Sequence, residues 1–527
     1  MTLQGFFVAG PFDDGDPVTG HYYETASPDA ARPQVWGYTG ALSHLPGDVL
    51  RLHLSSTAPQ VHVEIARDGL QPQVVFAGDV AARFAPTPAD CSVTGCGWPE
   101  ALALPIPADW QSGAYTVTLT VPGHQSQHMF VLRAARPSAG IVMVLATGTW
   151  CAYNDWGGSN HYQGLTGPRG DDFAAHVSLL RPWARGFVAW PDDAPRIPHA
   201  SPLLSKPRYP HMDYARAKGI SKKYASSGWA AFERPFALWC EAQGIALDYT
   251  TQHDLHANPA ELDGYPRALI AGHDEYWTWQ MRDHLDGWLD RGGQLARFGG
   301  NFFWQTRLSD DLLTQTCFKS RAEAEDPTAD PTRLTSYWDH PQVGRPAVAT
   351  MGLTGAMGVY AGWSRCAAHG TGGFLIWQPD HWAMQGTGLG YGDVLGADSK
   401  IFGYEVDGID LAMTHGLPHA ADGTGLQGPL TIVGMSPATT LSHSTGPHDR
   451  DAFIGTADAE EVALHVYGNV TPETVARASR GNGCMAEYRR GRGAVFNAAS
   501  CEWVAGLIAR ERPVEQVTRN ILLGDWG

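Results

Sequence analysis

The chain has 527 residues, long enough for two or more domains with filled cores. Its 43% hydrophobic and 17% charged residues are ordinary for a globular protein, while 19 tryptophans and 61 glycines point to many structured loops around concave sites. A formal charge of −17 repels phosphate backbones and anionic lipid surfaces, which argues against nucleic acids and membranes as partners.

The first part, residues 1–135, reads as β. Val49-Leu50-Arg51-Leu52-His53-Leu54 and Val61-His62-Val63-Glu64-Ile65 alternate apolar and polar residues, as half-buried strands do, and Pro46-Gly47-Asp48 is a turn ahead of the first. Further strands are expected at Ser112 to Val121 and at Met129 to Leu132. The pattern predicts a small immunoglobulin-like β-sandwich. Arg133 to Gly140 reads as a linker. Residues 140–527 then change period. Ile141 to Ala146 is a continuous apolar run, the mark of a fully buried strand. A helix is expected over Phe232 to Gln243, strands at Ala246 to Tyr249 and Arg267 to Ala271, and a helix from Trp277 to Leu289 that Arg291-Gly292-Gly293 stops. Strands at Gln294 to Phe298 and Ala494 to Ala499 and a last helix from Pro513 to Leu523 complete the series. Such alternation predicts an α/β catalytic domain: a mostly parallel sheet with flanking helices, resembling the glutamine-amidotransferase-like architecture. Pro191 to Lys218 and Leu308 to Pro346 lack periodicity and read as long functional loops.

No apolar run approaches the roughly 20 residues needed to span a bilayer. Met1 to Asp16 has no basic region ahead of an apolar core, so a cytoplasmic protein is expected. Cys91 and Cys96 are close, but no second Cys/His pair follows at zinc spacing, and all eight cysteines are expected to be reduced and structural.

In open α/β sheets, sites gather at the carboxyl ends of strands. Four segments qualify. Thr147 to Tyr162, after the first buried strand, is dense in ligand-type groups, though a turn-rich connection packing its aromatics on the sheet would look the same. His273 and Glu275 follow a buried strand two residues apart, and Glu275 is equally placed to cap the next helix. Asn301 follows Gly299-Gly300 and reads either as an amide aimed at a substrate oxygen or as an Asx turn. Gly403-Tyr404-Glu405 is the fourth. His253 and His256 have no third ligand nearby and read as surface residues. Neither a Gly-x-Ser-x-Gly elbow nor a His-Glu-x-x-His helix occurs.

At Thr149-Trp150-Cys151-Ala152-Tyr153-Asn154, Gly272-His273-Asp274-Glu275-Tyr276-Trp277, Gly299-Gly300-Asn301 and Gly403-Tyr404-Glu405-Val406-Asp407 the chain resembles the large (beta) subunit family of N,N-dimethylformamidase. The resemblance implies an amide hydrolase with a mononuclear iron, Fe(III), held by Tyr153, Tyr162 and Glu275, with His273, Asn301 and Glu405 as the catalytic groups around a metal-activated water. Phenolate and carboxylate are hard anionic donors suited to such an ion. It also implies a small partner subunit and a homo- or hetero-oligomer. Three departures stand out: no lectin-like insertion in the β region, a shorter loop between the tyrosines, and Asp274 in place of a proline. Aromatics such as Trp156, Phe302 and Trp304 are expected to line the substrate cavity. The competing reading is a non-catalytic or carbohydrate-related binding protein on the same fold.

Overall fold

Along Val49–Ser56 and Gln60–Arg67 the alternation written in the sequence becomes alternation of burial, with Leu50, Leu52, Val61 and Val63 inside and the residues between them facing outward. The structure, a computed structural model, describes residues 7–9, 13–17, 20–166, 172–196, 210–358, 372–438 and 456–526. The chain divides into two compact units: Met1–Arg196 with Pro210–Asp254 and Arg307–Cys317, and Ile197–Tyr209 with Leu255–Thr306 and Phe318–Gly527.

In the first unit a five-stranded sheet runs in the order Ser43–His44, His124–Leu132, Gly113–Val121, Gln60–Arg67, Gln73–Ala81, and a three-stranded antiparallel sheet in the order Val35–Thr39, Val49–Ser56, Glu100–Pro105. Register sets Val63 opposite Leu119 and Ile65 opposite Val117. Leu50, Leu52 and Leu54 from the smaller sheet pack with Val61, Val63, Ile65, Val117 and Leu119 from the larger in one core. Each such side chain contributes roughly 1.5–3 kcal/mol through its removal from water. In the same unit Ile141–Leu145, buried throughout, pairs in parallel with Asp248–Thr251. The connection considered after Ala146 opens with a short helix, Thr147–Tyr153, and continues through turns and bends to Tyr162. Glu233 anchors it: its Oε1 accepts from the Ala146 N–H at 3.3 Å and from Trp150 Nε1 at 2.9 Å. Pro210–Lys218, part of one stretch without sequence periodicity, is helical, while 197–209 lies outside the described residues.

In the second unit Arg267–His273, Gln294–Gly300 and Gly493–Asn497 run parallel. The sheet continues through Asn482–Arg490, Leu430–Pro437, Phe374–Ile376 and Val394–Leu395, every one of these pairings antiparallel. This corrects the expected fold class. The protein is mostly β, with 30% strand against 22% helix, and its sheets are antiparallel or mixed rather than a mostly parallel amidotransferase-like α/β sheet. The reason is local. Asn482–Arg490 and Gly493–Asn497 are joined by Gly491-Arg492 alone, with Gly491 at φ 53°, and so short a link makes a hairpin, never a crossover. Asn482–Arg490 carries no alternation that would have announced it, because its first seven residues are all buried.

The last helix, Arg512–Leu523, buries Val514, Val517, Thr518, Ile521 and Leu522, a stripe of helical period. Among the described residues no helix is long and apolar enough to cross a membrane. The seven described cysteines are free and buried; Cys366 lies outside the described residues.

Candidate functional site

In the second unit the strand Arg267–His273 ends on His273, and Asp274 and Glu275 follow before the short strand Tyr276–Thr278. Glu275 does not cap the next helix. Thr278 does, its side chain accepting from the Met281 N–H at 3.1 Å. That frees the Glu275 carboxylate, whose Oε1 accepts from Trp304 Nε1 at 2.7 Å. Its other oxygen lies 3.4 Å from His273 Nε2, which is 2.8 Å from a Glu405 carboxylate oxygen. Tyr404 presents its ring edge-on to His273, centroids 5.3 Å apart.

Asn301 follows the strand Gln294–Gly300 in the left-handed region, φ 64°. Its Nδ2 donates to the Glu405 carboxylate and lies 3.3 Å from His273 Nε2. Its Oδ1 is buried and makes no hydrogen bond among the described residues. Gly300 allows this convergence. A Cβ there would sit 2.4 Å from the Glu405 carbonyl oxygen, so only glycine admits the 403–407 segment so close. That segment is no strand end; it is fixed by an isolated bridge between Val406 and Ser500 and by the Cys501 N–H donating to the Glu405 carbonyl at 3.0 Å.

Sequence reasoning missed the groups beneath these residues. Arg297, wholly buried in its strand, grips Asp274 through Nε at 2.9 Å and Nη2 at 2.5 Å, and also donates to Asp407 and to Asn497 Oδ1 at 3.0 Å. Asp407 Oδ1 accepts the backbone N–H groups of Asn301 at 2.6 Å and Phe302 at 3.1 Å. Burial works against the Arg297 charge, but the two carboxylates outweigh it and hold its pKa above the ordinary value. A charged residue inside an apolar strand run was the available signal, since a buried charge requires a partner. Lys319 also escaped notice; its ammonium lies 4.8 Å from the centroid of the Trp304 ring.

Tyr153 and Tyr162 belong to the first unit. Their ring centroids are 4.5 Å apart, and the Lys223 ammonium lies 5.2 Å and 4.8 Å from them. Asn160 shapes the loop between: its Nδ2 donates to the Tyr153 carbonyl, and its Oδ1 accepts from the Tyr162 and Gln163 N–H groups. Arg181, buried, donates to the carbonyls of Asn154, Trp156, Ser159 and Ser178. Trp156 packs edge-on against Trp36 and Trp98, and Phe302 packs on Trp277 and Trp338, so both are core aromatics. The two histidines read as surface residues are not: His253 is buried against Thr147 Oγ1 at 2.7 Å, and His256 pairs with Thr278 Oγ1 at 2.8 Å.

Among the described residues, His273, Glu275 and Glu405 form a buried group whose donor atoms lie within 4.8 Å of one another, and this group could hold a metal ion. Charge favours a cation there. Among the described residues, the carboxylates of Asp274, Glu275, Glu405 and Asp407 are all buried with one guanidinium, Arg297, between Asp274 and Asp407. Oxygen donors of this kind fit a hard ion.

A family model described as N,N-dimethylformamidase beta subunit-like, C-terminal, matches residues 64–516. The chain belongs to that family. Comparison with curated proteins gives no match.

Proposed function

We propose that this family member is an iron-dependent hydrolase that cleaves the C–N bond of a small, dimethylformamide-like amide with water as nucleophile. The observation that carries the reading is the buried His273, Glu275, Glu405 group, with the Asn301 amide against it. Within this group Glu275 would hold the iron. When bound, it supplies Lewis acidity toward the amide carbonyl.

The remaining work falls to the chain's own side chains. Glu405 takes a proton from the attacking water and returns it to the amine nitrogen as the C–N bond breaks. His273 and Asn301 Nδ2 both contact the Glu405 carboxylate and fix its direction. The same two groups would donate to the oxyanion that forms on the carbonyl oxygen. Asn301 Oδ1, an acceptor without a donor among the described residues, accepts from the water. The beta-subunit-like family description supports a small partner subunit and an oligomeric enzyme.

Purified protein is assayed for metal content and for dimethylamine release from dimethylformamide, with a panel of formamides, acetamides and cyclic amides alongside. Release that rises with iron content is expected, and Glu275→Gln is expected to lower both. Full activity in iron-free protein, or an iron-loaded protein inert across the panel, would overturn the reading.

A further inference from the structure

We propose that Asp407, held by Arg297, is the positioning residue that sets the Asn301 amide against Glu405 and His273, an inference that rests on the function proposed above. Asn301 occupies left-handed backbone, φ 64°, which asparagine tolerates better than other residues with a side chain and which its surroundings here hold. Those surroundings are identifiable. The N–H groups of Asn301 and Phe302 converge on one oxygen of Asp407, at 2.6 Å and 3.1 Å. Gly355 leaves room on the other side, because a Cβ there would lie 2.8 Å from Asn301 Oδ1. With its backbone so fixed, Asn301 Nδ2 reaches the Glu405 carboxylate and the edge of His273.

Asp407 cannot hold that position alone. It is wholly buried, and its second oxygen faces Arg297 Nη1. The same guanidinium holds Asp274 through two nitrogens, and Asp274 stands between His273 and Glu275 with its side chain turned to Arg297 while theirs meet each other and Glu405. One rigid, planar, permanently charged group therefore sets the His273–Glu275 segment and the Asn301 turn in a single register. Lysine would carry the charge but not the fork. Asp407 acts through the Asn301 and Phe302 N–H groups, and Arg297 acts through its hold on Asp407 and Asp274.

A double-mutant cycle between Asp407→Asn and Asn301→Gly tests this. Glycine keeps the left-handed backbone and removes only the amide. Each single variant is expected to lower kcat for dimethylformamide by roughly a hundredfold with KM little changed. The double variant is expected to be no slower than Asn301→Gly alone, while the thermal midpoint falls with Asp407→Asn in both backgrounds. Losses that multiply would show that Asp407 acts elsewhere and would overturn the proposal. A crystal structure of Asp407→Asn supplies a reading independent of turnover: Asn301 is expected to leave the left-handed region and its amide to part from Glu405, and unchanged geometry overturns the proposal. Should the wild type not hydrolyse any amide of the panel, the proposed function fails and the crystal structure still decides the positioning role. If Asp407→Asn does not fold, the neutral replacement Asp274→Asn, Arg297→Met, Asp407→Asn, which leaves no lone buried charge, takes its place in the same cycle.

Discussion

Two buried arginines, one in each unit, do different work. Arg181 donates to three backbone carbonyls of the loop that carries Tyr153 and Tyr162, and to that of Ser178. Arg297 spends its donors on the carboxylates of Asp274 and Asp407 and on Asn497. The consequences diverge. Burial lowers the Arg181 pKa, only partly offset by the neighbouring thiols, whereas the carboxylates raise that of Arg297. An arginine on carbonyls fixes the path of a chain; an arginine on carboxylates fixes the placement of charges. The tyrosine loop needs the first and the His273–Glu405 cluster the second.

The comparison can be pressed in four ways. Arg297→Met strands two buried carboxylates and should cost roughly 3–5 kcal/mol of unfolding free energy in urea. Arg181→Met strands neutral carbonyls and should cost less, about 2–3 kcal/mol; equal or reversed costs would break the distinction. Acid should weaken the fold through His128. Buried His128 has its pKa pushed down by burial from 6.5 to about 3. Because the folded value lies below the unfolded one, the unfolded chain takes the extra proton. The associated stability is complete above the unfolded value and is lost as pH falls, by about 2 kcal/mol between about pH 7 and about pH 5. His128→Gln should flatten that slope, and an unchanged slope would remove His128 from the account. The smallest effect concerns the helix after Glu275: Thr278→Ala should cost about 1 kcal/mol, while Glu275→Gln should leave the helix cap intact, since Thr278 makes it.

Much of the framework was legible. The helices at Glu233–Ala242, Trp279–Asp290 and Arg512–Leu523 and the strands at Arg267–His273 and Gln294–Gly300 lie within a few residues of their expected places. His273, Glu275 and Asn301 stand behind strands as expected, whereas Glu405 follows no strand and came from the family resemblance, which the family model covering 64–516 supports. The antiparallel half of the second-unit sheet was not legible, because Asn482–Arg490 is buried on both faces and so has lost its period.

By itself the sequence determined where local order would arise: alternation made the strands around Val63 and Leu119, a 3.6-residue stripe made the last helix, and apolar runs marked the strands that deliver His273 and Asn301. Only the tertiary structure decided which of these segments pair, that Arg297 would reach Asp407 from 110 residues away, and that Asn301 would be held left-handed by a carboxylate 106 residues distant. Propensity and periodicity act over a few neighbouring residues, whereas a buried charge takes its partner from whatever the whole fold brings beside it.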